Sequence, residues 1–595
     1  MPATRKKNKG QKTTPSAGAG IADQPAAQTA ERTAAAKSSG PRQPQRLKAG
    51  DAARRIRSLA ELSESLDARR RLRQLAKQIV DGPRNVQGIA FIEGQLGDLL
   101  DEAEACPILR EQWLACEAAT WGLAWLARTR RAGGSAGGLL ERLVRLARSA
   151  AEGLHSRDTA SARFVVALAR LFCDIEACRC LETDAAAALD EEITRLVSED
   201  GVVSVATPSG GGSAAAVDRV ARWTAVREVA VSAGGPLPWS DSSDARWRLA
   251  VRTALRLLGS QGRILSGAGR LPASFSDMVL RAADGDRTAS VGRTANALRK
   301  PPKDAAAGRS KRLLHRDLHA SDAATAILRT GWGKDSLRLM IDYRHPTPRL
   351  ELATGERLLF DGPWQWRVSL EGRPLEADGP WTLSGFESDG KATFFEIVAP
   401  LAGGLQIERQ VVLLPQDRVI VLADGVTAGS AASGRTIRYE GFVPTGSSLE
   451  SEQAEETREV FVYDTSMRMM ALPLALPEWT AASATGSFTA SADGLTLTQE
   501  TLGGRLYAPL WIDCDPARFG RQVTWRQLTV ADSRINLPRH QAVGFRVQTG
   551  LEQWLLYRSL DTPRNRTVLG CNLSSEFLLG RIGRKGVVSR TVEIQ

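Results

Sequence analysis

Residues 324–343, ATAILRTGWGKDSLRLMIDY, together with 351–362, ELATGERLLFDG, and 405–426, LQIERQVVLLPQDRVIVLADGV, decide the architecture of the second half of this 595-residue chain. Apolar and polar side chains alternate along them with the period of a strand, and Gly, Asp or Pro closes each run. The alternation begins near residue 320 and persists through 392–398, 418–423, 436–442, 459–463, 495–499, 523–530, 543–548 and 551–558. With no helical period between them, so many one-sided strands predict a large antiparallel β-sandwich, since only paired sheets bury them all.

Upstream the period is helical. Leu59, Leu62 and Leu66, then Leu72, Leu75 and Ile79, recur at i, i+3, i+4 spacing, as do Leu114, Ala118, Trp121 and Trp125. Helices are expected over 160–180, 185–198, 214–232 and 245–259, separated by Gly, Ser or Pro breaks. Seven or more helices suffice for an incomplete (α/α) toroid of helical hairpins, and equally for an irregular bundle. The expected organisation is a basic, disordered tail over 1–50, a helical domain over 51–290, a basic linker over 291–320 and the sandwich over 321–595.

A net charge of +12 invites a nucleic-acid reading, but its distribution argues otherwise. Residues 1–50 carry ten Lys or Arg against Asp23 and Glu31, so most of the excess sits in the tail. A second basic run, from Arg293 through Lys300, Lys303, Arg309, Lys311 and Arg312 to Arg316, lies in a Pro/Ala/Gly-rich connector. Neither segment interleaves its charge with aromatics, so nucleic acid is not the expected partner. No apolar run is long enough to span a membrane, and no apolar stretch follows the first basic residues as a secretory signal requires. A cytoplasmic, reducing location is therefore expected, and seven scattered cysteines suit it. Cys173, Cys178 and Cys180 lie on an apolar helical pattern and are expected to be buried small hydrophobes.

The order of Thr330-Gly331-Trp332, the strand 337–343, Glu351, Gly355 and Asp361, and finally Arg409 running to Asp424-Gly425 resembles the sandwich of heparinase II/III-like polysaccharide lyases. SEDGVVSVATPSGGG (198–212) and RILSGAGRLPASFSD (263–277) look like that family's toroid segments. The resemblance implies a groove between toroid and sandwich that holds an acidic polysaccharide. It also implies β-elimination, in which a base removes the proton α to a uronate carboxylate, a charge sink neutralises that carboxylate and an acid protonates the leaving oxygen. Family members use Asn, Tyr and His for these tasks. Here the Pro-bearing loop reads Thr207-Pro208-Ser209 with no tyrosine, and no asparagine occurs over 86–294. The family's histidine turn reduces to Tyr343-Arg344-His345-Pro346. Where relatives can hold zinc, Asp361 remains but Glu408 stands in place of a histidine, so neither metal nor cofactor is expected.

The candidate site is accordingly His345 as base, Tyr343 as acid and Arg344 or Arg349 as charge sink, with Arg349, Trp364 and Trp366 binding substrate. An imidazole can accept a proton near neutrality, arginine pairs with carboxylates, and tryptophans two apart on a strand share one face. His315 and His319, four apart around Asp317, could clamp a metal if helical but are expected to be solvated in the linker. The expected function is a degenerate lyase relative that binds acidic polysaccharide. The alternatives are an active uronate lyase centred on His345, or a scaffold that binds partners through its basic tail.

Overall fold

The computed structural model describes residues 47–595 except 64, 84–85, 107–108, 129–135, 153–158, 205–211, 233–235, 263–264, 267–268, 271–272, 287, 303–309, 311, 356 and 429–433. Most of the basic tail, the Thr207-Pro208-Ser209 loop and much of the basic connector thus lie outside the described residues.

Eleven helices occupy the first half of the described residues: Ala49–Leu62, Leu66–Asp81, Val86–Ala105, Leu109–Arg128, Ala136–Glu152, Thr159–Leu171, Glu176–Leu196, Gly212–Ser232, Asp241–Leu257, Ala273–Asp284 and Ala289–Arg299. They pack around one apolar core that includes Trp113, Trp121, Trp223 and Trp247. The expected division into 160–180 and 185–198 is displaced. The chain turns at 172–175, and Glu176–Leu196 runs unbroken through Leu-Glu-Thr-Asp at 181–184. Leu181 and Ala185 face the core while Thr183 and Asp184 face solvent, so a polar run taken for a break is the outer face of a helix. The same displacement corrects the cysteines: Cys178 is buried, but Cys173 and Cys180 are exposed.

From Leu318 onward the described chain is antiparallel sheet. Strands Leu318–Ala320, Thr325–Arg329, Leu337–Asp342, Arg349–Thr354 and Arg357–Pro363 form a five-stranded meander. An eight-stranded sheet follows, with Leu405–Leu414 and Val419–Ala428 near its centre. Its alternate side chains serve two cores. Phe395, Ile407, Val411 and Ile420 pack toward the meander, whereas Phe394, Val412, Val421 and Trp511 pack against a C-terminal sheet through Trp525, Phe545, Trp554 and Phe577. Burial on both faces explains why 411–414 and 419–423 read as unbroken apolar runs rather than alternating ones.

The meander itself has two unlike faces. Leu328, Leu339, Ile341, Leu350 and Leu352 enter the sandwich core. Cross-strand register places Ile327, Met340, Glu351 and Asp361 in one row on the opposite face, with Arg329, Arg338, Asp342 and Arg349 around it. That face meets the helices: Ile327 and Trp332 belong to the helical core. Arg329 Nη1 donates to the carbonyls of Arg256 (2.5 Å) and Leu258 (2.7 Å), and Arg338 Nη1 to that of Leu257 (2.7 Å). These are the orphan carbonyls at the end of Asp241–Leu257, where a cation is also favoured by the helix dipole. At the opposite pole of another helix, Glu351 accepts from the backbone N–H of Ser213 (3.1 Å) and from its hydroxyl, in the first turn of Gly212–Ser232. Cations on a helix C-terminus and an anion on a helix N-terminus thus join the two halves.

Candidate functional site

The polar groups that could do chemistry gather where the meander meets the turn after helix Glu176–Leu196. In that turn Ser198 N–H donates to Val202 O, and Glu199 N–H donates to Asp322 Oδ2 at 2.8 Å. Gly201 has φ +85°, and a Cβ there would lie 2.5 Å from the Leu249 carbonyl carbon, so the tight approach requires glycine. Val202 packs on Ala320 and Ala323, which sets the turn beside strand Leu318–Ala320 and brings Asp200 toward His319.

His319 is therefore neither helical nor solvated. It lies on a strand, paired with Ala326, and half-buried beneath Phe386 and Phe395 (ring centroids 5.4 and 6.1 Å). Its ring is parallel to that of Tyr343 within 9°, and Nε2 is 2.8 Å from the Tyr343 Oη. Burial lowers the imidazole pKa, partly opposed by Asp200, and raises that of the phenol. Both shifts favour neutral partners, with the phenol O–H donating to an unprotonated imidazole nitrogen.

The expected constellation is distributed differently from the sequence reading. Tyr343 pairs with His319, while His345 stands exposed in the turn 343–348. Arg344 folds back on Asp342 through two bonds, Nε–Oδ1 3.0 Å and Nη2–Oδ2 2.5 Å. Arg349 is bonded to Asp361 across neighbouring strands. Trp364 falls between two strands and is buried, with the Arg409 guanidinium 3.8 Å from its ring centre, so no ring face is left for a sugar. Trp366 is half-buried and meets Trp381 edge-on at 6.4 Å. The two tryptophans therefore do not form a shared platform.

Glu351 is the most deeply buried acid of the row. Desolvation raises its pKa against the two bonds from Ser213, and Asp361 adds to the rise. Asp361 and Glu408 are separately engaged, the first with Arg349 and the second with Arg558, on strands of different sheets. Among the described residues no group of three or more His, Cys, Asp or Glu is gathered as metal ligands would be.

His319 was legible in principle. Ser321-Asp322 is a turn signal ahead of a strong strand, which makes Leu-His-Ala before it the other arm of a hairpin. The basic residues just upstream obscured that reading.

No protein-family model matches this sequence, and no curated protein does. Solved structures do match over most of the chain. The heparan sulfate lyase HepC from Pedobacter heparinus superposes with a TM-score of 0.53 at 10% identity, covering 84% of each chain. A heparinase III structure gives 0.52 at 12% identity over 82% of each. The chain shares the fold of these two structures. At such identity the likeness is one of fold and leaves the chemistry to be argued from this chain's own side chains. No helix of the described residues is long and apolar enough to cross a membrane.

Proposed function

We propose that this chain is a heparinase II/III-like protein that binds acidic polysaccharide at the seam between helices and meander without efficiently cleaving it. Elimination at a uronate needs a proton acceptor, a proton donor and a charge sink at one point. His319 and Tyr343 supply a neutral imidazole and a phenol in direct contact. The observation that carries the reading concerns the third requirement: Arg344 and Arg349, the first two cations that follow Tyr343 along the chain, are each committed to a strand carboxylate, Asp342 and Asp361. A guanidinium already paired offers a uronate little further neutralisation, and Glu351 and Asp200 add negative charge nearby.

The test is ultraviolet absorbance of unsaturated uronate product with heparan sulfate, chondroitin sulfate and oligogalacturonate. No turnover above background is expected, with retained binding of at least one polymer in affinity electrophoresis. Product formation abolished by His319→Ala or Tyr343→Phe would overturn the proposal. It would favour instead a second reading, an active lyase in which this phenol–imidazole pair moves the protons. The 2.8 Å contact between the two groups supports that alternative. We keep the division into a helical domain at 51–290 and a sandwich at 321–595, with helix Ala289–Arg299 and strand Leu318–Ala320 extending them into the connector.

A further inference from the structure

A cleft, built from other strands than the seam, opens between the pair Thr436–Pro444 and Gly494–Leu502 and the C-terminal strands Val523–Leu528 and Ala542–Thr549. Its volume is about 640 Å³, within the range of sites for small ligands. Three guanidiniums line it, Arg438, Arg505 and Arg539, against one carboxylate, Glu500. Arg505 is held by Asp561 at 3.4 Å. The Arg438 and Arg539 side chains are exposed and make no hydrogen bond or ion pair among the described residues, with Glu500 opposite Arg438 in strand register. Between the arginines lie hydroxyls and amides: Thr436, Thr485, Thr498, Thr501, Gln499 and Gln527. Phe545 and Tyr507 close the floor, the latter anchored by its hydroxyl on Gln410 at 2.8 Å.

We infer that this cleft is a binding site for a short acidic oligosaccharide. Unpaired guanidiniums on a concave wall attract and bidentately bind carboxylates. The interleaved hydroxyls and amides match the hydroxyls of the sugar rings. Glu500 stands opposite Arg438 in strand register and disfavours an anion beside it, so the acidic groups lie foremost toward Arg539. The site does not depend on the seam being occupied.

The test uses the full chain and trigalacturonate as probe. Arginine modification by phenylglyoxal, read by peptide mass spectrometry, is expected to slow at Arg438 and Arg539 in the presence of trigalacturonate and to stay unchanged at exposed Arg367. The methyl-esterified trimer and inorganic sulfate at equal concentration are expected to protect neither. Arg438→Ala with Arg539→Ala, both surface changes, is expected to weaken trigalacturonate binding at this site by about tenfold or more, as loss of charge-assisted bonds implies. Unchanged labelling with the trimer would overturn the inference, as would equal protection by sulfate. The readout sits on the cleft's own arginines, so failure at the seam leaves it intact, and failure here leaves the seam reading intact.

Discussion

Desolvation sets the protonation of His319, and the sign of the effect is testable. Burial disfavours the imidazolium, so His319 is expected to titrate below 6.5 in an NMR experiment, and Asp200→Asn to lower it further. As pH falls from 6.5 toward the folded value, the unfolded chain takes up the proton first, so stability declines across that window. His319→Ala should flatten that part of a stability-versus-pH curve. Gly212 tests the other junction. Its φ is +43°, and an added Cβ would lie 2.6 Å from Glu351 Oε2, at the buried carboxylate that accepts from Ser213. Gly212→Ala is expected to cost about 1–3 kcal/mol in urea denaturation, from backbone strain and the displaced carboxylate.

Among the elements, the helix Asp241–Leu257 and the meander strands are one structural unit despite lying on either side of the basic connector. Arg329 is buried and supplies donors to two helix-end carbonyls, with its Nε on Gly331 O at 3.1 Å. Arg329→Met is expected to destabilise by about 2–5 kcal/mol, since each buried carbonyl left without a donor costs about 1–3 kcal/mol. The diagnostic is location: hydrogen exchange should quicken in Asp241–Leu257 as well as in Thr325–Arg329. Protection lost only in the strand would contradict the capping role. Much of this element structure was readable beforehand. The strands at 405–414 and 436–442 were placed within two residues because alternation and turns agree there. The helix break at 172–175 was not, because apolar spacing runs on across it and only the tertiary turn interrupts it.

For the molecule as a whole, the eight-stranded sheet is the layer on which everything else rests, and its contact with the C-terminal sheet contains a charged centre. Arg558 Nη2 meets Glu408 (2.6 Å), Glu576 (2.9 Å) and Glu396 (3.3 Å). Burial raises the Glu576 pKa while Arg558 lowers it. Arg558→Met strands three carboxylates and should cost about 3–5 kcal/mol near pH 8, the scale of breaking a buried pair. The deficit should shrink at pH 5, where protonation removes the unpaired charge; an equal deficit at both pH values would argue that packing, not charge, is lost. By itself the amino-acid order determined the succession of helices and then sheet, because the 3.6- and 2-residue periods are local properties of burial on one face. It also determined which catalytic residue types are scarce along the helical half. Which imidazole meets Tyr343, and that Arg344 and Arg349 are spent on Asp342 and Asp361, was decided only by the tertiary structure. Cross-strand register and the closure of a turn onto the sheet bring together groups whose separation along the chain carries no trace of their contact.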